Sequence, residues 1–241
     1  MFLICGSGRS GTSAVARLLH EAGLALGRDL IEADEHNAEG YFEERRLIEI
    51  DDAILNAAGL GPWFSTATRE QVRAAAEPYV EHMRALAADA TPAWKDPRLS
   101  WTLEPWLDVL PEPPRLIVCL RSPAEVVAST MRYYAQGGDE AECAVLHVWR
   151  TQYERLLEVI GAHRLDAICV EYAELQLNPD AAIASLAAFV GRPLDAACVR
   201  RDLRHHSLDI PPDLHDLYVT VRSLGAATSG SQAPPQSAKT P

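Results

Sequence analysis

Phe2-Leu3-Ile4-Cys5-Gly6-Ser7-Gly8-Arg9-Ser10-Gly11-Thr12-Ser13-Ala14-Val15-Ala16-Arg17-Leu18-Leu19 runs from a short apolar stretch, through a glycine-rich loop, into a pattern of helical period. A strand, a glycine turn and a helix N-terminus in that order form a grip for a phosphate. The glycines let successive backbone N–H groups point inward, and the helix dipole adds partial positive charge at the same place. Gly6 and Gly11 have the G-x-x-x-x-G spacing of a phosphate-binding loop, and Ser13 stands where that motif ends in Ser or Thr. Thr12 occupies the position of the motif's lysine, and the nearest cation is Arg9, inside the loop. A plain turn needs one or two glycines. Glycines, hydroxyls and an arginine packed this closely read as an anion site.

Working outward, the chain alternates strand and helix signals. A strand over 2–6 leads to a helix over 11–22, with Gly23 as its C-cap. A helix over 41–58 ends at Gly59. Thr68-Arg69-Glu70-Gln71 is a capping box that opens a helical stretch to about residue 88, bent near Pro78. The run 115–120 is continuously apolar, as in a parallel strand covered on both faces. Ser122-Pro123-Ala124-Glu125 then starts a helix over 124–134 with proline at its first turn. Further helices are expected over 140–160, from Pro179 (capped by Asn178) to Val190, and over 195–205, with a buried strand at 166–170. This alternation predicts an α/β fold: three α/β/α layers around a central parallel sheet of about four to five strands, P-loop NTPase-like. Residues 1–225 read as a single domain, and 226–241, rich in Ser, Ala, Pro and Gln, as a disordered tail.

Composition narrows the function. The 241 residues carry a net charge of −12, which argues against a nucleic-acid partner. An acidic protein that binds anions must concentrate its cations locally. No apolar run is long enough to span a bilayer, and the first strand begins at once, leaving no room for a signal peptide. Five cysteines without CxxC spacing, with Cys5, Cys119 and Cys169 in apolar runs, read as reduced thiols of a cytoplasmic protein. The eight histidines show no metal-ligand spacing, so no metal is expected.

A second unit repeats the logic of the first. The strand over 115–120 ends at Arg121, a capped helix begins beside it, and Ser129 follows eight residues after Arg121. Both fall near one face of the helix entry, placed to grip one phosphate. Two anion sites at neighbouring strand ends, with arginine in place of the loop lysine, resemble the sulfotransferases that use 3′-phosphoadenosine 5′-phosphosulfate (PAPS). The family's first loop, P-[KR]-S-G-T-[ST], stands here as Gly8-Arg9-Ser10-Gly11-Thr12-Ser13. Its second motif, an arginine at a strand end with a serine eight residues on, is matched by Arg121 and Ser129. Trp94-Lys95-Asp96-Pro97-Arg98, Val170-Glu171-Tyr172-Ala173-Glu174-Leu175 with Asn178-Pro179, and Phe189-Val190-Gly191-Arg192-Pro193 agree in order and spacing.

The resemblance implies transfer of a sulfonate from PAPS to a hydroxyl or amine of an unidentified acceptor. It implies that residues 8–13 hold the 5′-phosphosulfate, that Arg121 and Ser129 hold the 3′-phosphate, and that Tyr172 contacts the adenine, although a tyrosine ending a buried strand is also ordinary core. Lys95 would face the transferring group. The cytosolic members' K-T-H histidine base has no counterpart, since the matching stretch is Lys95-Asp96-Pro97. Glu43, Asp96 and His36 are the candidates for that role, in that order. Segments 34–66 and 130–142, with Trp63, Phe64, Tyr133 and Tyr134, are candidates for acceptor recognition, and Arg200, Arg201 or Arg204 for completing the 3′-phosphate site. A P-loop nucleotide kinase is the rival enzyme, opposed by Thr12 at the lysine position. A nucleotide-binding relative without catalysis is the non-enzymatic alternative.

Overall fold

Four parallel strands, β1 (Phe2–Cys5), β2 (Ala93–Lys95), β3 (Arg115–Leu120) and β4 (Ala167–Glu171), pair in the order β2-β1-β3-β4. The computed structural model describes residues 1–34, 37, 39–60, 66–134, 138–199 and 209–225. The register is what positions the site. Ile4 lies between Lys95 and Ile117, and Leu120 lies beside Glu171. The segments following all four strands therefore leave the sheet along one edge, the side on which open parallel sheets bind ligands.

Side chains alternate across the sheet. Ile4, Ile117 and Cys119 face a core with Val15, Leu18 and Leu19 of α1 (Thr12–Glu21) and Ile183 and Leu186 of α9 (Pro179–Val190). Leu3, Cys5, Val118 and Leu120 face a larger core, built with α2 (Arg45–Ala57), α5 (Leu99–Leu107), α6 (Pro123–Tyr134) and α7 (Asp139–His163). The architecture is the expected three-layer α/β/α sandwich, with four strands among the described residues.

Three helices were not anticipated. In α5 every residue from Leu99 to Trp106 is buried and Pro105 lies inside, so neither periodicity nor composition marks it. The other two are α8 (Tyr172–Leu177) and α10 (His215–Arg222). The helix expected from residue 41 begins at Arg45 instead. Glu44 is its extended N-cap, bridged antiparallel to Leu30, and its carboxylate accepts from the backbone N–H of Arg28 at 2.6 Å and of Asp29 at 3.0 Å. Residues 41–44 are thus a loop edge, and Glu43 belongs to it. The Thr68 capping box starts α3 (Arg69–Ala76), and a 3-10 turn carrying Pro78 joins it to α4 (Val80–Ala87), the bend that proline called for. Only a 3-10 turn, Ala196–Cys198, stands at the start of the expected last helix. The rest of that helix beyond Val199, and the tail over 226–241, lie outside the described residues.

Candidate active site

The loop after β1 is held from below by groups that accept its polar atoms. Gly6 has φ +137°, and a Cβ built there would lie 2.3 Å from the Cys119 carbonyl oxygen, so a side chain has no room. Its N–H donates to Ser100 Oγ at 3.3 Å, and that hydroxyl donates back to the Gly6 carbonyl at 2.9 Å. Tyr153, fully buried, donates its phenol to the Cys119 carbonyl at 2.6 Å, accepts from Ser7 N–H at 3.3 Å and lies 3.1 Å from Ser10 Oγ. Burial keeps that phenol protonated by pushing its pKa upward. Gly11, at φ +90°, caps α1 with no side-chain hydrogen bond. The first helix amide spent on backbone is Val15, donating to Gly11 at 3.2 Å. The amides ahead of it, on Thr12, Ser13 and Ala14, are the open donors of a helix N-terminus.

The second motif closes on this loop. Arg9 adopts φ 65°, and its Nε donates to Ser129 Oγ at 3.1 Å while its guanidinium lies 4.1 Å over the Tyr133 ring. Arg121, buried at the end of β3, donates Nη1–H to the Arg9 carbonyl at 3.2 Å and Nε–H to Glu125 at 3.1 Å. It also lies 4.7 Å over the Tyr172 ring. That ring in turn packs on the loop: a Cβ at Gly11 would come within 2.5 Å of it. A guanidinium has five N–H donors, so both arginines keep donors for a ligand after these contacts.

Beside these two joined motifs sits a further cluster. Lys95, at the end of β2, is buried and pairs with Glu43 Oε1. Arg98 lies 3.5 Å from Glu43 Oε2, donates to Asp52 Oδ1 at 2.5 Å, and donates backbone and side-chain N–H groups to Asp96 Oδ1 at 2.8 and 3.1 Å. Asp96 is fully buried, and its Oδ2 has no partner among the described residues. Burial pushes its pKa up to about 6; the Arg98 cation opposes this and the Glu43 charge adds to it. Asp51, equally buried, accepts from Trp106 Nε1 at 2.8 Å. Burial, and after it the charge of Asp96, hold its pKa well above the ordinary range.

A cavity of about 600 Å³ opens between these groups. Ser7, Gly8, Arg9, Glu43, Asp52 and Arg98 border it, and α2, α5, α6 and α7 supply much of the remaining wall, with Ile31, Tyr41, Leu60 and Pro97 from the loops. Asp96 and Lys95 stand behind that wall.

The loop residues Gly8 to Ser13, Arg121, Ser129 and Tyr172 thus form one connected cluster, and Glu43, Lys95 and Asp96 a second beside it. Tyr133 packs on Arg9. His36, Trp63, Phe64, Arg200, Arg201 and Arg204 lie outside the described residues, as does the side chain of Tyr134. Sequence reasoning passed over Asp51, Asp52, Ser100, Gln152 and Tyr153. Asp51 alone carried a signal, an acidic residue on the apolar stripe of Leu47, Ile50 and Ile54. Among the described residues no group of His, Cys, Asp and Glu is arranged to hold a metal ion, and no helix is long and apolar enough to cross a membrane.

The profile of the sulfotransferase family matches residues 2–196. No curated protein matches the chain. Among solved structures, the sulfotransferase domain of the Synechococcus PCC 7002 olefin synthase is 18% identical, with 98% of this chain and 89% of that one covered and a TM-score of 0.47. The sulfotransferase domain of the curacin biosynthetic pathway is 16% identical, covering 98% and 92%, with a TM-score of 0.49.

Proposed function

The chain belongs to the sulfotransferase family, and on that premise we propose how its residues share the transfer of a sulfonate to an acceptor hydroxyl. PAPS, the family's usual donor, supplies the activated sulfonate and leaves as adenosine 3′,5′-bisphosphate. The observation that carries this reading is the joining of the two motifs. Arg9 of the first loop bonds Ser129 of the second, and Arg121 of the second bonds the Arg9 carbonyl, at 3.1 and 3.2 Å. Two anion grips fixed to each other suit one ligand with two anionic ends.

In this reading the open amides of α1, with Arg9, Ser10, Thr12 and Ser13, hold the 5′ end. Arg121 and Ser129 hold the 3′-phosphate. Tyr172, stacked under Arg121 and against Gly11, offers a ring face to the base. The fit is chemical: the open amides of α1 and the remaining donors of Arg9 and Arg121 belong to one cluster, and Gly6 and Gly11 let its loop pack closely on Cys119 and Tyr172. The donors are fixed before the ligand arrives, so they stabilise charge developing on the transferring oxygens without reorganising.

Glu43 takes the acceptor proton. Among the base candidates within the described residues, it borders the cavity while Asp96 does not. Lys95 and Arg98 fix one carboxylate oxygen each. Lys95, behind the wall, then acts through Glu43 by holding its carboxylate, and Asp96 positions Arg98. Glu43→Gln is expected to lower kcat by about two to four orders of magnitude, the usual worth of a general base, and to leave adenosine 3′,5′-bisphosphate affinity unchanged. Equal loss of nucleotide binding would assign Glu43 to the donor site instead. If the wild type binds the nucleotide but transfers to no acceptor, the binding-module reading stands in its place.

A further inference from the structure

We propose that the acceptor is a compact, uncharged, largely apolar molecule with two hydroxyl groups, one meeting Glu43 and the other meeting the side-chain amide of Gln152. This rests on the sulfotransfer reading above and adds the acceptor's class to it.

Helical spacing shows how the cavity wall is made. Ile48, Asp52 and Leu55 stand at i, i+4 and i+7 along α2, on a single face, and Val145, Val148 and Gln152 stand at i, i+3 and i+7 along α7. Val126 of α6 and Trp101 of α5 complete the wall between them. Leu55, Val145, Val126 and Trp101 belong to the core as well, so the cavity is a gap in the packing of these helices. A volume of about 600 Å³ is in the range that encloses a molecule of drug size, not a polymer.

Most polar groups of the wall are committed. Asp52 is held by Arg98, Thr130 donates to the Val126 carbonyl at 2.8 Å, and the Tyr41 phenol donates to Asp34 at 2.7 Å. Arg9 and Arg98 stand opposite Glu43 and Asp52, so the lining charges balance and no cation is left over for an acidic acceptor. Ser7 Oγ and the exposed Asn56 side chain are uncommitted among the described residues, and so is Gln152, which is buried. It is 6% exposed, and its Oε1 has no hydrogen-bond partner among the described residues. The side-chain amide is thus unspent on both sides, and a ligand hydroxyl that accepts from Nε2, or donates to Oε1 once the amide turns over, removes the cost of leaving it unpaired.

The test uses the native protein with PAPS and two sets of probes. One set is 2-naphthol, 2,7-dihydroxynaphthalene and 6-hydroxy-2-naphthoate; the other is 1-decanol and 1,10-decanediol; glucosamine serves as the polar comparison. Turnover of the neutral apolar alcohols is expected, with at least one diol favoured over its mono-ol by about tenfold in kcat/KM, the worth of one buried hydrogen bond. The naphthoate and glucosamine are expected to fall at least about tenfold below 2-naphthol. In Gln152→Leu the ratio of diol to mono-ol should collapse toward one, with adenosine 3′,5′-bisphosphate binding confirming that the variant is folded. Turnover of glucosamine or the naphthoate as good as that of the neutral alcohols, no turnover of any alcohol, or a diol preference that survives Gln152→Leu overturns the inference. Calorimetry on the wild type separates the two levels: if the bisphosphate does not bind, the donor reading itself fails, and if it binds, only the acceptor class does.

Discussion

Arg9 does two things that a lysine cannot. Its Nε bonds Ser129 while its planar face lies 4.1 Å over Tyr133. A lysine would keep the charge and lose both the fork and the stack. Arg9→Lys should therefore weaken adenosine 3′,5′-bisphosphate binding at least about tenfold in a calorimetric titration; an unchanged affinity would reduce Arg9 to a bystander charge. Gly11 makes the opposite demand, for no side chain. Its φ of +90° and the Tyr172 ring 2.5 Å from a built Cβ make Gly11→Ala strained twice over. The expected loss is about 1–3 kcal/mol of stability in denaturant unfolding, with nucleotide affinity falling as the ring shifts. Residues whose placement depends on the backbone next to them were legible in the sequence: the loop glycines, Arg9, and Arg121 with Ser129. Tyr153 was not, because its phenol reaches Ser7, Ser10 and Cys119 from a helix over a hundred residues downstream of the loop.

At the scale of elements, α2 carries the unusual feature. Asp51 sits on its core face and is fully buried beside Asp96 at the end of β2. Both acids bind a proton more tightly in the fold than in the unfolded chain. Their contribution to stability is therefore complete below about pH 4 and is lost as pH rises, through about 6 for Asp96 and likewise in direction for Asp51. Asp51→Asn keeps an acceptor for Trp106 and removes the titration. The stability of the variant relative to wild type should thus grow as pH rises from about 4 to 8 in thermal unfolding; a constant difference would show that the fold does not raise the pKa of Asp51. Elements bounded by local chemistry could be read directly, as with β3, the Thr68 box and the Asn178-Pro179 start of α9. The start of α2 was misplaced because Glu44 is held by amides of Arg28 and Asp29, far back in the chain. Burial on all sides hid α5, since a helix wrapped entirely by protein has no amphipathic period to betray it.

For the whole molecule, the sheet explains why separate motifs make one site. The parallel order β2-β1-β3-β4 brings Lys95 and Asp96, the glycine loop, Arg121 and Tyr172 to successive strand ends along one edge. The order of the motifs along the chain indicated such an edge, but the strand neighbours, and hence the pairing of Lys95 with Glu43 beside the loop, depend on topology. The central claim is that the two arginine-bearing grips hold one nucleotide by both phosphates. The most direct measurement is calorimetric titration of wild type and Arg121→Ala with adenosine 3′,5′-bisphosphate and with adenosine 5′-phosphate. The wild type is expected to prefer the bisphosphate by at least about a hundredfold, as a buried charge-assisted contact requires, and Arg121→Ala to abolish the preference while still binding the 5′-phosphate. Equal affinity of the wild type for the two nucleotides, or a preference that survives in Arg121→Ala, would contradict it.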